Sequence, residues 1–403
     1  MILFDEKEDC CGCTACKSIC PTKAIEMKAD EEGFLYPKIN QKLCTNCQVC
    51  KRVCPFQNKA FVPDRLFESP AFAAMHKKEQ VKMSSASGGA YTAISDFILD
   101  SSGLVYGVEF DDEFFVRHNR ASCADERDKF RGSKYIQSDL KGIYKQIQED
   151  LNNDRIVLFT GTACQVAGLR NYLCETKTAL NKLYTNDIIC HGTASPLLWN
   201  DYLDFIQKES KLKSYTFRYK GRGWRGYNVR AEFENGKIKI NTTDIRVYVN
   251  LFSSVLALRP SCYNCKFANL QRPSDITIGD CWGIEKILPE IDDNKGISLV
   301  IINTRKGKYL FEKIKKDLDI YKINVADCLQ LNLQQPTRKP SKREQFWHDY
   351  YKFGFKYIAR KYLGYSFKSS SKRLIKRFLH KVKLLDHAIK LQDYLRQIIQ
   401  GFE

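Results

Sequence analysis

An α/β core with a mixed sheet and flanking helices, an N-terminal α+β cysteine-rich head and a helical C-terminal tail form the fold class this sequence predicts. Three observations predict it. Two copies of one cysteine motif open the chain, Cys10-x2-Cys13-x2-Cys16-x3-Cys20-Pro21 and Cys44-x2-Cys47-x2-Cys50-x3-Cys54-Pro55. From 71 to about 305, strand-like and helix-like stretches alternate, as in α/β cores. Near the end, Leu374, Ile375, Phe378, Leu379, Val382, Leu385 and Ile389 recur on one helical face, with Lys and Arg on the other.

The head comes first, over 1–58. Its spacing is that of bacterial two-cluster ferredoxins, in which the fourth Cys of each run crosses to the other cluster. By that rule Cys10, Cys13, Cys16 and Cys54 hold one [4Fe–4S] cluster, and Cys44, Cys47, Cys50 and Cys20 hold the second. Zinc suits these runs poorly, because each packs four Cys into eleven residues without a His. Between the runs, 22–28 is expected as a short helix and 33–40 as strand and turn. A linker with Pro63 and Pro70 follows, over 59–70.

The core is expected over 71–335. Strands are predicted at 103–110, 155–160, 185–190, 275–279 and 297–303, and helices at 90–99, 143–150, 164–173 and 196–207. Antiparallel strands are expected at 215–217, 229–233 and 237–240, with Asn235-Gly236 as a hairpin turn. A basic helical region, 336–403, completes the chain, with Ser369–Ser371 as the cap of its last helix.

Composition narrows the function classes. A length of 403 residues suits about two to three domains. The first residues lack a basic stretch and a long apolar run, and no segment reaches the ~18–20 apolar residues of a membrane span. A cytoplasmic location is expected, which also suits 17 cysteines kept as ligands or free thiols. Of the net charge of +18, the tail from Pro336 carries most, with 17 Lys/Arg against 5 Asp/Glu. That face suits peripheral association with anionic lipid, or packing on the core. No nucleic-acid fold accompanies it, so nucleic acid is not an expected partner.

Chemistry in the core gathers in short motifs. Cys262-x2-Cys265 needs partners to complete a metal site, and Cys164 and Cys190 are the best available pair. A third cubane on these four is expected, with buried structural thiols as the alternative. Cys281 is a poorer ligand candidate, and Cys11, Cys123, Cys174 and Cys328 look incidental. Ser85, Ser87, Gly88 and Gly89 lead into a helix N-terminus, which favours an anion. Arg131, Gly132, Ser133, Lys134 and Tyr135 add two cations at a glycine turn. Thr160, Gly161, Thr162 and Gln165 repeat the strand, glycine turn, helix arrangement. Each segment alone also suits an ordinary helix cap. Together they favour a dinucleotide such as FAD. The literal G-x-G-x-x-G of 221–226 is rejected as a dinucleotide fingerprint because a strand, not a helix, follows it. It suits a basic loop beside a cofactor or acidic substrate, or a solvated turn. His191 is the candidate proton donor, with a structural hydrogen-bonding role as the alternative.

These motifs, in order over roughly 71–305, resemble the coenzyme F420 hydrogenase/dehydrogenase beta-subunit family, in which a ferredoxin head is a common fusion. The resemblance implies an α/β flavoprotein that binds FAD and carries its own [4Fe–4S] cluster on Cys164, Cys190, Cys262 and Cys265. It also implies that Ser87–Gly89 and Arg131–Tyr135 contact the flavin. The family's Gly-Thr-Pro-Cys stands here as Gly161-Thr162-Ala163-Cys164. The basic tail resembles members found in bacterial polysaccharide-biosynthesis loci. The expected function is therefore an FAD-dependent iron–sulfur oxidoreductase, passing electrons between a ferredoxin-like donor or partner redox subunit and a small organic acceptor. A non-catalytic electron-transfer subunit and a coenzyme F420-dependent dehydrogenase are the alternatives.

Overall fold

The computed structural model describes residues 3–60 and 62–365. The amphipathic helix expected from Leu374 to Ile389, and its cap at Ser369–Ser371, lie outside the described residues.

The head contains α1 (Ala15–Ile19), β1 (Ile25–Ala29), β2 (Leu35–Ile39) and α2 (Val49–Arg52). β1 and β2 pair antiparallel from Ile25↔Ile39 to Ala29↔Leu35. This corrects the helix expected over 22–28. Glu26, Met27, Lys28 and Ala29 are good helix formers, but a full hairpin ladder satisfies their backbone and overrides propensity.

The core begins with β3 (Ala71–His76), α3 (Glu79–Ser84), α4 (Ala90–Asp100), β4 (Leu104–Phe110), β5 (Val116–Ala121) and α5 (Ala124–Asp128). It continues through α6 (Ile143–Asn152), β6 (Val157–Thr162), α7 (Ala163–Glu175), β7 (Leu183–Ile188) and α8 (Pro196–Ile206). Next come β8 (Leu212–Thr216), β9 (Arg230–Phe233), β10 (Ile238–Ile240) and α9 (Val247–Ser254). β11 (Ile276–Asp280), α10 (Ile284–Ile287), β12 (Ser298–Ile302), α11 (Arg305–Ile314) and β13 (Leu318–Ile323) lead to α12 (Arg343–Phe353) and α13 (Phe355–Tyr362). An eight-stranded sheet runs in the order β13-β3-β12-β11-β7-β6-β4-β5, and a three-stranded sheet in the order β10-β9-β8. β11, β7, β6 and β4 are parallel neighbours, whereas the flanking pairs are antiparallel.

Alternation along the strands covers both faces of the large sheet. Val105 and Leu158 pack with Ile94 and Ile98 of α4 and Phe311 of α11 on one face. Tyr106 and Phe159 pack with Tyr144 of α6 and Leu169 of α7 on the other. Cys11, Cys13, Ala15, Val53 and Phe56 of the head join that second cluster. The head is therefore built into the core, and burying a side chain such as Phe56 contributes roughly 1.5–3 kcal/mol. Arg343 of α12 adds a buried ion pair to Glu32, with Nη1 donating to Oε1 at 2.8 Å. α12 and α13 cover the aromatic cluster of α8, α9 and the small sheet. No helix of the described residues is long and apolar enough to cross a membrane.

Candidate functional site

The two cysteine runs take matching backbone paths. Gly12 and Thr14 have φ of +70° and +65°, while Asn46 and Gln48, at the same offsets in the second run, have +57° and +62°. Each left-handed pair curls its loop ahead of a short helix, α1 or α2. The curl and the crossing connection divide the eight thiols into two sets. Cys20, Cys44, Cys47 and Cys50 line one small cavity with Pro21, Ile25 and Ile39. Burial raises the Cys16 thiol well above its ordinary range, and Cys10 and Cys54 raise it further. Cys13 in turn faces Cys54 and Cys16. The fourth Cys of each run thus lies with the first three of the other. Cys50 also acts on Cys16, so the sets are neighbours.

A third set of thiols lies in the core. Cys164 opens α7 just beyond β6, Cys190 follows β7, and Cys262 and Cys265 flank the end of the Pro260–Asn264 turn. α7 starts there because Thr162 and Gln165 form a capping box. Burial, with Cys262 and Cys164 alongside, pushes the Cys190 thiol well up. Burial likewise raises Cys262 to about 12 and Cys265 to about 11, and each feels Cys164. Four buried thiols that oppose one another's ionisation form a donor set that a bound cation would relieve. Among the described residues, no three of His, Cys, Asp and Glu converge as ligands of a single metal ion.

Spacing gave no hint of Cys11. It is buried in the shared apolar cluster, and its thiol reaches both Cys13 and Cys164. Cys281 and Cys328 lie apart from all three sets, with their sulfurs 3.4 Å from each other. Cys123 and Cys174 are exposed.

A cavity of about 250 Å³ opens at the carboxyl ends of β6, β7 and β11, where parallel α/β sheets place ligands. Ser85, Ser87 and Gly89 line it, as do Arg131, Gly132, Ser133, Lys134 and Tyr135. Thr160, Gly161, Thr162 and Gln165 form a further wall, and Cys190 and His191 another. The structure therefore brings together every segment singled out for a dinucleotide. Gly88 alone of those residues is not in the lining. Its N–H donates to Ser298 Oγ at 2.9 Å, and a Cβ there would come within 2.6 Å of Ser298 N.

The cavity wall is rich in donors. Gly89, with φ +96°, starts α4 at the cavity. Arg131 Nε donates to Thr92 Oγ1 at 3.2 Å, and Lys134 Nζ donates to the carbonyls of Lys129 and Arg131. Burial lowers the Lys134 ammonium to about 7 and keeps His191 below the ordinary histidine range. Tyr91 Oη, Thr160 Oγ1 and Arg218 Nη2 are buried without a hydrogen-bond partner, and all three residues line the cavity. Such groups are costly to leave unpaired, so the wall suits a polar ligand.

Arg218 escaped the sequence reading. Its Nη1 donates to Asp280 Oδ2 at 2.7 Å, and its guanidinium lies 5.0 Å from the Tyr227 ring and 5.4 Å from that of Trp282. Trp224, inside the rejected G-x-G-x-x-G, stacks on Trp282 at 4.5 Å. That stretch is thus a basic loop beside the cavity, and the Arg218-Tyr219-Lys220 run before it was the available signal. Lys220 Nζ donates to the carbonyls of Lys82 and Ser87, anchoring the serine loop.

Residues 154–327 match the family model for the C terminus of the coenzyme F420 hydrogenase/dehydrogenase beta subunit. Residues 9–58 match that of the 4Fe-4S dicluster domain. The first match begins after the Ser85–Gly89 and Arg131–Tyr135 segments. Among solved structures, a chain of the F420-reducing [NiFe] hydrogenase complex from Methanosarcina barkeri is similar at 14% identity and a TM-score of 0.45. The likeness covers 78% of this chain and 92% of that one. No curated protein matches.

Proposed function

Since residues 154–327 belong to the coenzyme F420 hydrogenase/dehydrogenase beta-subunit family and residues 9–58 are a 4Fe-4S dicluster domain, we propose that this chain is an FAD-dependent iron–sulfur oxidoreductase. It would pass electrons between a ferredoxin-like donor or partner redox subunit and a small organic acceptor. Cys10, Cys13, Cys16 and Cys54 would hold one [4Fe–4S] cluster, Cys20, Cys44, Cys47 and Cys50 a second, and Cys164, Cys190, Cys262 and Cys265 a third. When bound, the clusters supply one-electron steps and FAD supplies the exchange between one- and two-electron chemistry.

The observation that carries this reading is the place of Cys190, which belongs to the third thiol set and also lines the cavity. Three thiol sets then lead from the exposed Cys47 to a ligand cavity. At the cavity, the α4 N-terminus and Arg131 favour an anionic group such as a pyrophosphate. Tyr91, Thr160 and Arg218 offer unspent polar groups. His191, held neutral by burial, is placed to give or take a proton at the wall. The acceptor is proposed to be a small organic molecule, with polysaccharide biosynthesis as one setting and coenzyme F420 as the alternative acceptor that the family's description names.

The donor end has its own signature. From 33 to 63 the sequence holds five Lys/Arg and no Asp/Glu, which suits an acidic protein donor. The test of the reading is the flavin released from anaerobically purified protein. One FAD per chain is expected. Chains with iron but no flavin, even after incubation with FAD, would leave an electron-transfer subunit without flavin chemistry.

A further inference from the structure

Arg259 belongs to the core by sequence, yet it spends most of its donors on the head. Only 1% of it is exposed. Its Nε donates to Cys10 O at 2.7 Å and its Nη2 to Leu35 O at 3.1 Å. Nη2 also lies 3.6 Å from Cys10 Sγ. Nη1 donates to Gln137 Oε1 at 2.9 Å, and Gln137 Nε2 donates in turn to Cys11 O at 3.1 Å. The guanidinium sits 4.1 Å from the Tyr36 ring centre. Gly12 leaves the room for this approach, because a Cβ there would come within 2.9 Å of Arg259 and 2.7 Å of Gln137.

The charge has no carboxylate to answer it. After burial, which opposes it, the groups that act most on the Arg259 charge are Cys10, Tyr36, Cys11 and Cys262. Cys10 belongs to the first head set and Cys262 to the core set, so the guanidinium lies between the two. An unpaired buried cation costs several kcal/mol, and a cluster held by thiolates is an anion that removes this cost. Cys11 marks the same junction, since its thiol reaches Cys13 on one side and Cys164 on the other.

We propose that Arg259 is the positioning residue of the electron junction between head and core. It fixes the first cysteine loop against the core, and its charge raises the reduction potential of the cluster on Cys10, Cys13, Cys16 and Cys54. A fixed positive charge and a hydrogen bond to a ligand sulfur both favour the reduced, more negative form. This inference rests on the reading that both thiol sets hold clusters.

The test uses the full chain, purified anaerobically, as wild type, Arg259→Gln and Arg259→Lys. Iron is counted first, and midpoint potentials are then read by electron paramagnetic resonance during redox titration. About twelve irons are expected in all three proteins. In Arg259→Gln the potential of one head cluster falls while that of the other stays. Arg259→Lys, which keeps the charge without the fork, falls between Gln and wild type. A role confined to packing would leave the potentials alone, so unchanged potentials with full iron overturn the proposal. Should Arg259→Gln lose its iron, an unchanged potential in Arg259→Lys overturns it equally. A wild type whose core set holds no iron refutes the three-cluster reading and the junction with it, and the iron count separates that failure from an unchanged potential.

Discussion

Buried ionic side chains carry the stability of this chain at a few positions. Arg170 Nη2 lies 3.0 Å from Asp275 Oδ1, with both side chains about 3% exposed. Asp275 also accepts from Thr185 and Thr304. Asp275→Ala would leave a buried guanidinium and several donors unpaired, so a loss of about 3–5 kcal/mol is expected in denaturant unfolding. His118 provides a pH test. It is buried, stacks on Phe159 and bonds through Nε2 to Thr160 O. Burial lowers its pKa to about 4, so it stays neutral in the folded chain. Its contribution is full above the unfolded value of about 6.5 and is lost as pH falls toward 4, because the unfolded chain then binds the proton more readily. Between pH 7 and pH 5 that loss is about 2 kcal/mol. His118→Gln should remove this part of the pH dependence, as read by urea unfolding at the two pH values. At this scale the sequence was legible wherever spacing carries the chemistry, as in the eight head cysteines. It was silent on Cys11 and Arg259, whose partners are distant in sequence and are met only once the head packs on the core.

Elements with strong periodicity or clear punctuation were legible. The helices beginning at Ala90, Ile143 and Pro196 start where expected, each after a glycine or a serine cap. β1 was misread because its residues favour a helix in isolation, and its strand state comes from β2. β3, with the sequence Ala-Phe-Ala-Ala-Met-His, and the edge strands β5 and β13 were not anticipated. β3 lies inside the sheet and is small-residue rich, so it shows no alternation, while β5 and β13 are pairing partners rather than autonomous signals. The α12 contact with the head gives a prediction at this scale. Arg343 of α12 holds Glu32 beside the β1–β2 turn, and Tyr351 Oη donates to Glu31 O at 3.1 Å. Glu32→Ala should strand the buried Arg343, loosen the head and speed limited proteolysis between 59 and 70 relative to wild type.

Across the whole molecule, the cysteine sets form a course from an exposed, acid-free face to a buried cavity. Electron delivery by an acidic protein donor should therefore slow as salt rises. Reduction by a small neutral reductant should not, and stopped-flow bleaching of the clusters compares the two. The course ends at the core set, and that set carries the central claim. Iron and acid-labile sulfide should be counted per chain, without oxygen, in wild type and in Cys262→Ala/Cys265→Ala. The account predicts about twelve irons falling to about eight, with the head signals retained. About eight irons in both proteins would contradict it, because the electrons would then have no cluster between the head and the cavity.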